Sequence, residues 1–128
     1  MIPRVVLDAS AAVALAHGEP GADAVEPLVN GSCISTVNWS EVARVCLAVE
    51  RDPEALRALL ADAGCRTVDF TVDDATAAAR LWRATRDAGL SLADRACLAL
   101  AARLGVPAVT ADRAWAELDV GVEVVVVR

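Results

Sequence analysis

Lysine is absent from this chain of 128 residues, and with it goes every chemistry that needs an ammonium nitrogen. Schiff-base catalysis, the phosphate-gripping lysine of a P-loop, and the lysine that receiver domains place beside their active aspartate are all excluded. Histidine occurs once, phenylalanine once and tyrosine not at all. The four cysteines, Cys33, Cys46, Cys65 and Cys97, include no C-x-x-C pair, so zinc-ligand spacing is missing. They read as small buried hydrophobes in a reducing compartment. Long apolar runs are missing too. The longest, such as 11–16 and 96–102, fall far short of the ~18–20 residues that a membrane span requires. The stretch from Arg4 to Ala16 superficially resembles a signal peptide, but Asp8 and Ser10 interrupt its apolar region. The expectation is a soluble cytoplasmic protein with no membrane partner.

What is present is a strong apolar content, 56%, under a formal net charge of −6 and a sequence pI of about 4.6. The length bounds the chain to one domain, 1–128, and a chain of this size buries roughly two-thirds of its unfolded surface. Disorder and a stapled miniprotein are thereby excluded. The acidic balance argues against a broad basic surface for nucleic acid, because that mode neutralises many phosphates with Lys and Arg.

Strand and helix signals alternate along the chain. Residues 5–7 are a β-branched run ending at Asp8; an Ala-rich helix follows to His17 and Gly18 closes it. Residues 20–30 have helical composition, but Pro27 would break a helix interior or open a new one. A short strand at 33–35 precedes a helix from Thr36 to about 50, with Val42, Val45, Cys46 and Val49 as its apolar stripe. Asp52 and Pro53 start the next helix as N-cap and first residue, and Gly64 ends it. A strand is expected over 66–70. Thr71 with Asp74 opens a helix that Gly89 closes, and Ser91 with Asp94 opens another that Gly105 and Pro107 close. Strands at 108–110 and 123–127 flank a helical turn near Trp115. The alternation predicts a three-layer α/β fold with a central, mainly parallel, Rossmann-like sheet. In such folds the ligand crevice lies beyond the carboxyl ends of the strands, so residues just after Leu7 and Thr110 face it.

Four acids, Asp8, Glu41, Asp94 and Asp112, can converge on that crevice. Singly, each has an adequate structural role: Asp8, Asp94 and Asp112 as helix caps, Glu41 as a solvated helical residue. Together their repulsion would raise some pKa values and destabilise the fold unless a cation sat among them. Oxygen-only ligation selects a hard ion, Mg²⁺ or Mn²⁺, which suits phosphodiester hydrolysis without a catalytic histidine.

Asp8 in V-V-L-D-A-S-A, Glu41 in S-T-V-N-W-S-E-V, Asp94 in L-S-L-A-D-R-A-C-L-A-L-A and Asp112 in V-T-A-D-R-A-W resemble the four acidic motifs of PIN-domain ribonucleases. More narrowly they resemble the VapC-type toxins of bacterial toxin–antitoxin pairs. The resemblance covers essentially the whole chain, with the motifs in order. It implies a PIN-like fold and a metal-dependent endoribonuclease, with Asp8, Glu41, Asp94 and Asp112 around Mg²⁺ or Mn²⁺. It also implies a homodimer and a cognate antitoxin protein. Carried over by position, Ser10 and Thr110 would support the metal shell, and Asn38 would lie one turn before Glu41; a structural cap or packing role suits these three as well.

Arg95 and Arg113 each follow a proposed ligand and could touch phosphate or pair with a carboxylate. Arg80, Arg83 and Arg86 recur every third residue and could track a phosphate backbone or form a solvated face. Trp39, Trp82 and Trp115 could stack on bases or serve packing. His17 reads as a C-terminal dipole partner of its helix. In-line attack of water would leave 5′-phosphate and 3′-hydroxyl ends. The competing function is a non-cleaving, metal- and RNA-binding module that acts through partner association. A haloacid-dehalogenase-type phosphatase would need an aspartate where Ser10 stands.

Overall fold

The computed structural model describes residues 2–128. Five short strands, β1 (Val5–Leu7), β2 (Ser32–Ser35), β3 (Cys65–Val68), β4 (Ala108–Thr110) and β5 (Val124–Val126), form one sheet in the order β3-β2-β1-β4-β5. Every pairing is parallel, with Val6 opposite Cys33 on one side and Ala108 on the other. Each connection therefore crosses over; α1 (Ala9–His17), α2 (Ala22–Val29), α3 (Thr36–Ala48), α4 (Pro53–Asp62), α5 (Val72–Arg80), α6 (Trp82–Thr85) and α7 (Leu92–Leu104) supply the first three crossovers, and a 3₁₀ turn at Arg113–Glu117 lies in the last. The expected three-layer α/β architecture is what the chain adopts. Among the described residues no helix is long and apolar enough to cross a membrane.

Alternation along β1 divides the interior into two cores. Val5 and Leu7 face one way, onto α1, α2, Val42 of α3 and Leu60 of α4; Val6 faces the other, onto α7 and Trp115. Seven residues of α7 are buried, so this helix is apolar on most of its circumference, as a helix held between a sheet and a second helix must be. All four cysteines are buried, free thiols distributed through these cores.

Helix ends follow the local signals closely. Asp8, Ser35, Asp52, Thr71 and Ser91 each accept a backbone N–H of the helix they open, and Thr71–Asp74 and Ser91–Asp94 are both reciprocal capping boxes. Gly18 and Gly105 close α1 and α7 with φ of 64° and 68°, where a side chain would be strained.

Two expectations are corrected, and the helix boundary that Pro27 left open is settled. There α2 runs through Pro27 without its bond to the Asp23 carbonyl, and buried Val25 and Val29 hold the short helix to the core. The strand expected over 66–70 lies at Cys65–Val68, since the Phe70 N–H is taken by the Thr36 hydroxyl at 3.1 Å and leaves the ladder. The helix expected from Thr71 to Gly89 breaks after Arg80 into α6 and a 3₁₀ turn at Arg86–Ala88. There the Ala78 carbonyl accepts from the Arg95 guanidinium at 3.0 Å, and the Thr85 hydroxyl bonds back to the Leu81 carbonyl at 2.8 Å. Along α3, Val42 and Cys46 are buried, whereas Val49 is half-exposed because the helix ends at Ala48.

Candidate active site

The sheet order reverses at β1: successive strands first add on the β2 side, then the chain returns to add β4 on the other. That switch point opens a crevice beyond the carboxyl ends of β1 and β4, and Asp8 follows β1 directly. The Asp8 N–H still bonds the Val109 carbonyl at 2.9 Å, so its backbone belongs to the ladder while its side chain stands at the crevice floor.

Asp8 is only 3% exposed, and its carboxylate is held from three sides. Ser10 Oγ donates to Oδ1 and Oδ2 at 2.7 and 2.9 Å, the Ala11 N–H donates to Oδ1 at 2.8 Å, and Thr110 Oγ1 donates to Oδ2. The two hydroxyls are themselves oriented, Ser10 by the Ala111 N–H at 2.9 Å and Thr110 by the Asp112 N–H at 3.0 Å. Burial nevertheless wins: it pushes the Asp8 pKa up to about 6 against the pull of these donors, and the nearby Asp94 charge adds to the rise.

Asp94 stands at the third position of α7, partly exposed, with Oδ2 accepting the Ser91 N–H at 2.9 Å. Asp112 is exposed and caps the 3₁₀ turn Arg113–Glu117 through the Ala114 N–H at 3.0 Å. Its backbone, through Thr110, is one hydrogen bond removed from Asp8. Glu41 makes no hydrogen bond to the other three. It lies one turn beyond Asn38, whose buried amide donates to the Ala93 carbonyl at 3.0 Å and so ties α3 to the start of α7 beside Asp94. The structure thus brings Asp8 and Asp94 into electrostatic contact and links Asp112 to them through the Thr110 hydroxyl. Glu41 is placed on the neighbouring helix.

The donor chemistry suits a hard cation. Oxygens of Asp8, Ser10 and Thr110 cluster at the carboxyl ends of β1 and β4, the charge of Asp94 acts on Asp8, and no ion pair with an arginine neutralises Asp8, Asp94, Asp112 or Glu41 among the described residues. A soft donor is close, Cys97, one turn after Asp94. Burial, with the charges of Asp8 and Asp94, raises its thiol pKa well above the ordinary range and keeps it protonated, hence a poor ligand. Among the described residues no three His, Cys, Asp or Glu side chains already form an ion-holding group. The fit is therefore that of an acidic pair on a braced floor, with two further carboxylates on the adjoining helix and turn.

A recess lined by Ser10, Ala111, Asp112, Arg113 and Arg128 adjoins this floor. Arg128 was not singled out in the sequence, and nothing local marks it. It arrives by folding back, donating to the Pro20 carbonyl at 2.8 Å and pairing with Glu19, while its own carbonyl accepts from Arg113 Nε at 3.0 Å. Neither Arg95 nor Arg113 pairs with a carboxylate among the described residues: both bond backbone carbonyls. Trp115 is wholly buried and serves packing. His17, in the last turn of α1, has the position expected of a dipole partner.

Comparison with known proteins is consistent with this geometry. The chain is similar in structure to a toxin–antitoxin complex from Klebsiella pneumoniae, with a TM-score of 0.76 at 21% identity over 97% of this chain and 98% of that one. It is similar to VapC20 of Mycobacterium tuberculosis, a sarcin–ricin-loop-cleaving toxin, with a TM-score of 0.72 at 18% identity over 93% of this chain and 98% of that one. The DNA-bound VapBC of Salmonella typhimurium follows at 0.67 and 16% identity, over 96% and 97% of the two chains. At these identities the likeness is one of fold. No curated protein is significantly similar to the chain in sequence. The sequence profile of the PIN domain, in contrast, matches residues 5–121, and on that match the chain belongs to the PIN domain family.

Proposed function

We propose that the chain is a divalent-metal-dependent endoribonuclease, the toxin of a toxin–antitoxin pair. The observation that carries the reading is Asp8: a nearly buried carboxylate at the switch point, beside Asp94, with no cation among the described residues paired to it. Burying such a charge is costly unless a counter-ion is part of the site.

Asp8 and Asp94 would hold Mg²⁺ or Mn²⁺, with Asp112 and Glu41 as direct or water-mediated partners. When bound, the ion supplies neutralising charge to the phosphate and lowers the pKa of an attacking water. The chain's residues do the rest. Ser10 and Thr110 fix the Asp8 carboxylate in one orientation, and the Ala11 N–H keeps it ionisable despite burial. Asn38 fixes α3 against α7 and with it the place of Glu41, which would orient the attacking water. Arg113 and Arg128, in the adjoining recess, would receive substrate phosphates. In-line attack at phosphorus predicts 5′-phosphate and 3′-hydroxyl products.

An antitoxin partner is supported by the likeness to the Klebsiella pneumoniae toxin–antitoxin complex and to the Salmonella typhimurium VapBC. The apolar residues Leu47, Val49 and Leu59, each more than half exposed, lie on and just after α3 and on α4 and offer contact area for that partner or for a second copy in a homodimer. The alternative, a non-cleaving metal- and RNA-binding module, is favoured by one observation, that no third acid has joined Asp8 and Asp94.

The deciding experiment incubates antitoxin-free protein with structured RNAs in Mg²⁺, Mn²⁺ or EDTA, beside Asp8→Asn, and maps product ends. Metal-dependent cleavage with 5′-phosphate ends, lost in the variant, is the expected result. Cleavage retained by Asp8→Asn would falsify the assignment of the site.

A further inference from the structure

Three tryptophans have three different fates. Trp115 is fully buried, Trp39 packs against the α1-side core, and Trp82 of α6 is 49% exposed. An indole half in water forfeits much of its burial free energy, so its surroundings become informative. The Arg86 guanidinium lies over the Trp82 ring, 4.9 Å from its centroid, at i,i+4 spacing. Arg80 and Arg83 are exposed beside it, and none of the three arginines forms an ion pair among the described residues. Asp87 is the only carboxylate between residues 80 and 88. On a chain of net charge −6, this is a local positive patch built around an aromatic face.

The patch is braced rather than loose. Thr85 is buried and bonds the Leu81 carbonyl at 2.8 Å, the Leu90 N–H reaches the Thr85 carbonyl at 3.4 Å, and Arg95 clasps Ala78 at 3.0 Å. The segment then runs through Gly89 directly into the Ser91–Asp94 capping box. The stacked pair is thus mechanically tied to the helix that carries a site acid.

Resting on the nuclease reading above, we propose that Trp82 and Arg86 form a base-stacking platform for an unpaired stretch of the RNA substrate. Arg80 and Arg83 bind the phosphates of that stretch. Unstacked bases are held on aromatic and guanidinium planes, and such stacking tolerates any base. Three arginines around one aromatic face, none with an ion-pair partner among the described residues, suit a polyanionic backbone carrying unpaired bases.

The test uses full-length protein in EDTA, where no cleavage competes, titrated with short single-stranded oligoadenylate and followed by tryptophan fluorescence. Oligoadenylate should quench the emission. Trp82→Ala should abolish that quench and weaken binding about tenfold, Trp82→Phe should restore the affinity, and Arg83→Gln should lower the slope of log affinity against log salt by about 0.7. In cleavage assays with metal, Trp82→Ala should raise KM with little change in kcat. Unchanged affinity and KM in Trp82→Ala, with cleavage intact, overturns the platform and leaves the nuclease standing. Quenching at Trp82 without cleavage by any metal overturns the nuclease and leaves an RNA-binding face. A Trp82→Ala protein that changes oligomeric state but not oligonucleotide affinity assigns the face to protein contact and overturns the proposal.

Discussion

Two aspartates in this molecule expose equally little surface, 3% each, but Asp8 lies much deeper than Asp74, and their carboxyls are driven in opposite directions. Asp74, at the start of α5, also suffers from burial. Yet the Arg103 guanidinium, donating at 2.8 and 3.1 Å from α7, together with the Thr71 capping box, more than offsets it and holds the carboxyl below its usual range. Asp8 is buried more deeply, and with hydrogen-bond donors but no arginine, and an acid, Asp94, as neighbour, its pKa rises to about 6. Hydrogen bonds orient a buried carboxylate, but they do not replace a counter-charge. Asp74 carries its cation in the sequence, whereas Asp8 is built to receive one from solution.

The sharpest way to break this comparison is to remove both charges. Asp8→Asn should keep the fold and cut metal-stimulated cleavage by about a thousandfold, some 4 kcal/mol of barrier at about 1.36 kcal/mol per factor of ten. Asp74→Asn, measured in the same assay, should leave cleavage per folded molecule unchanged. Equal losses in the two variants would mean that the aspartates do not differ in kind.

Next in size is the pH dependence of chelated protein. With Asp8 at about 6 when folded and roughly 3.9 when unfolded, the native state binds its proton more tightly, so stability is greatest below about pH 4 and is lost as pH rises through 6. The full loss is about 3 kcal/mol. Urea unfolding at pH 4.5 and pH 7 should show about 2 kcal/mol of it, and Asp8→Asn should flatten it. Asp74 has the opposite sign: its contribution is present above the unfolded value and disappears only as pH falls through its lowered folded pKa.

Truncating Asp74 to Ala removes both the ion pair and half of the capping box. A loss of about 2 kcal/mol is expected, discounted because the Arg103 side chain is 42% exposed. Its check is the chemical-denaturation midpoint. Divalent cation should act through Asp8 and its acidic neighbours and not through Asp74: Mg²⁺ at ten times its Kd should stabilise the wild type at pH 7 by about 1.4 kcal/mol. Thermal unfolding of Asp8→Asn should show little of that gain. The smallest effect is that of Ser91→Ala, which removes the α7 N-cap beside Asp94 at a cost of about 1 kcal/mol in melting experiments.

Local chemistry made much of this molecule legible. Thr71 with Asp74 and Ser91 with Asp94 announced two helix starts, because a capping box is written within four residues. Asp8 was legible as the residue leaving a β-branched run, and the strand–helix alternation implied the parallel sheet at whose switch point it sits. The break after Arg80 was not legible. It depends on the Ala78 carbonyl accepting from Arg95, seventeen positions away, while the local residues continue to favour helix. Arg128 beside Asp112 was hidden for the same reason, since its partners at Glu19 and Pro20 lie more than a hundred positions distant.

By itself, then, the sequence determined most of the elements and their caps, because those depend on interactions a few residues apart. Which buried aspartate would be neutralised by Arg103 and which left beside Asp94 was decided only in the tertiary structure. Both aspartates read alike as helix-capping acids, and a charge's cost is set by what the fold packs around it.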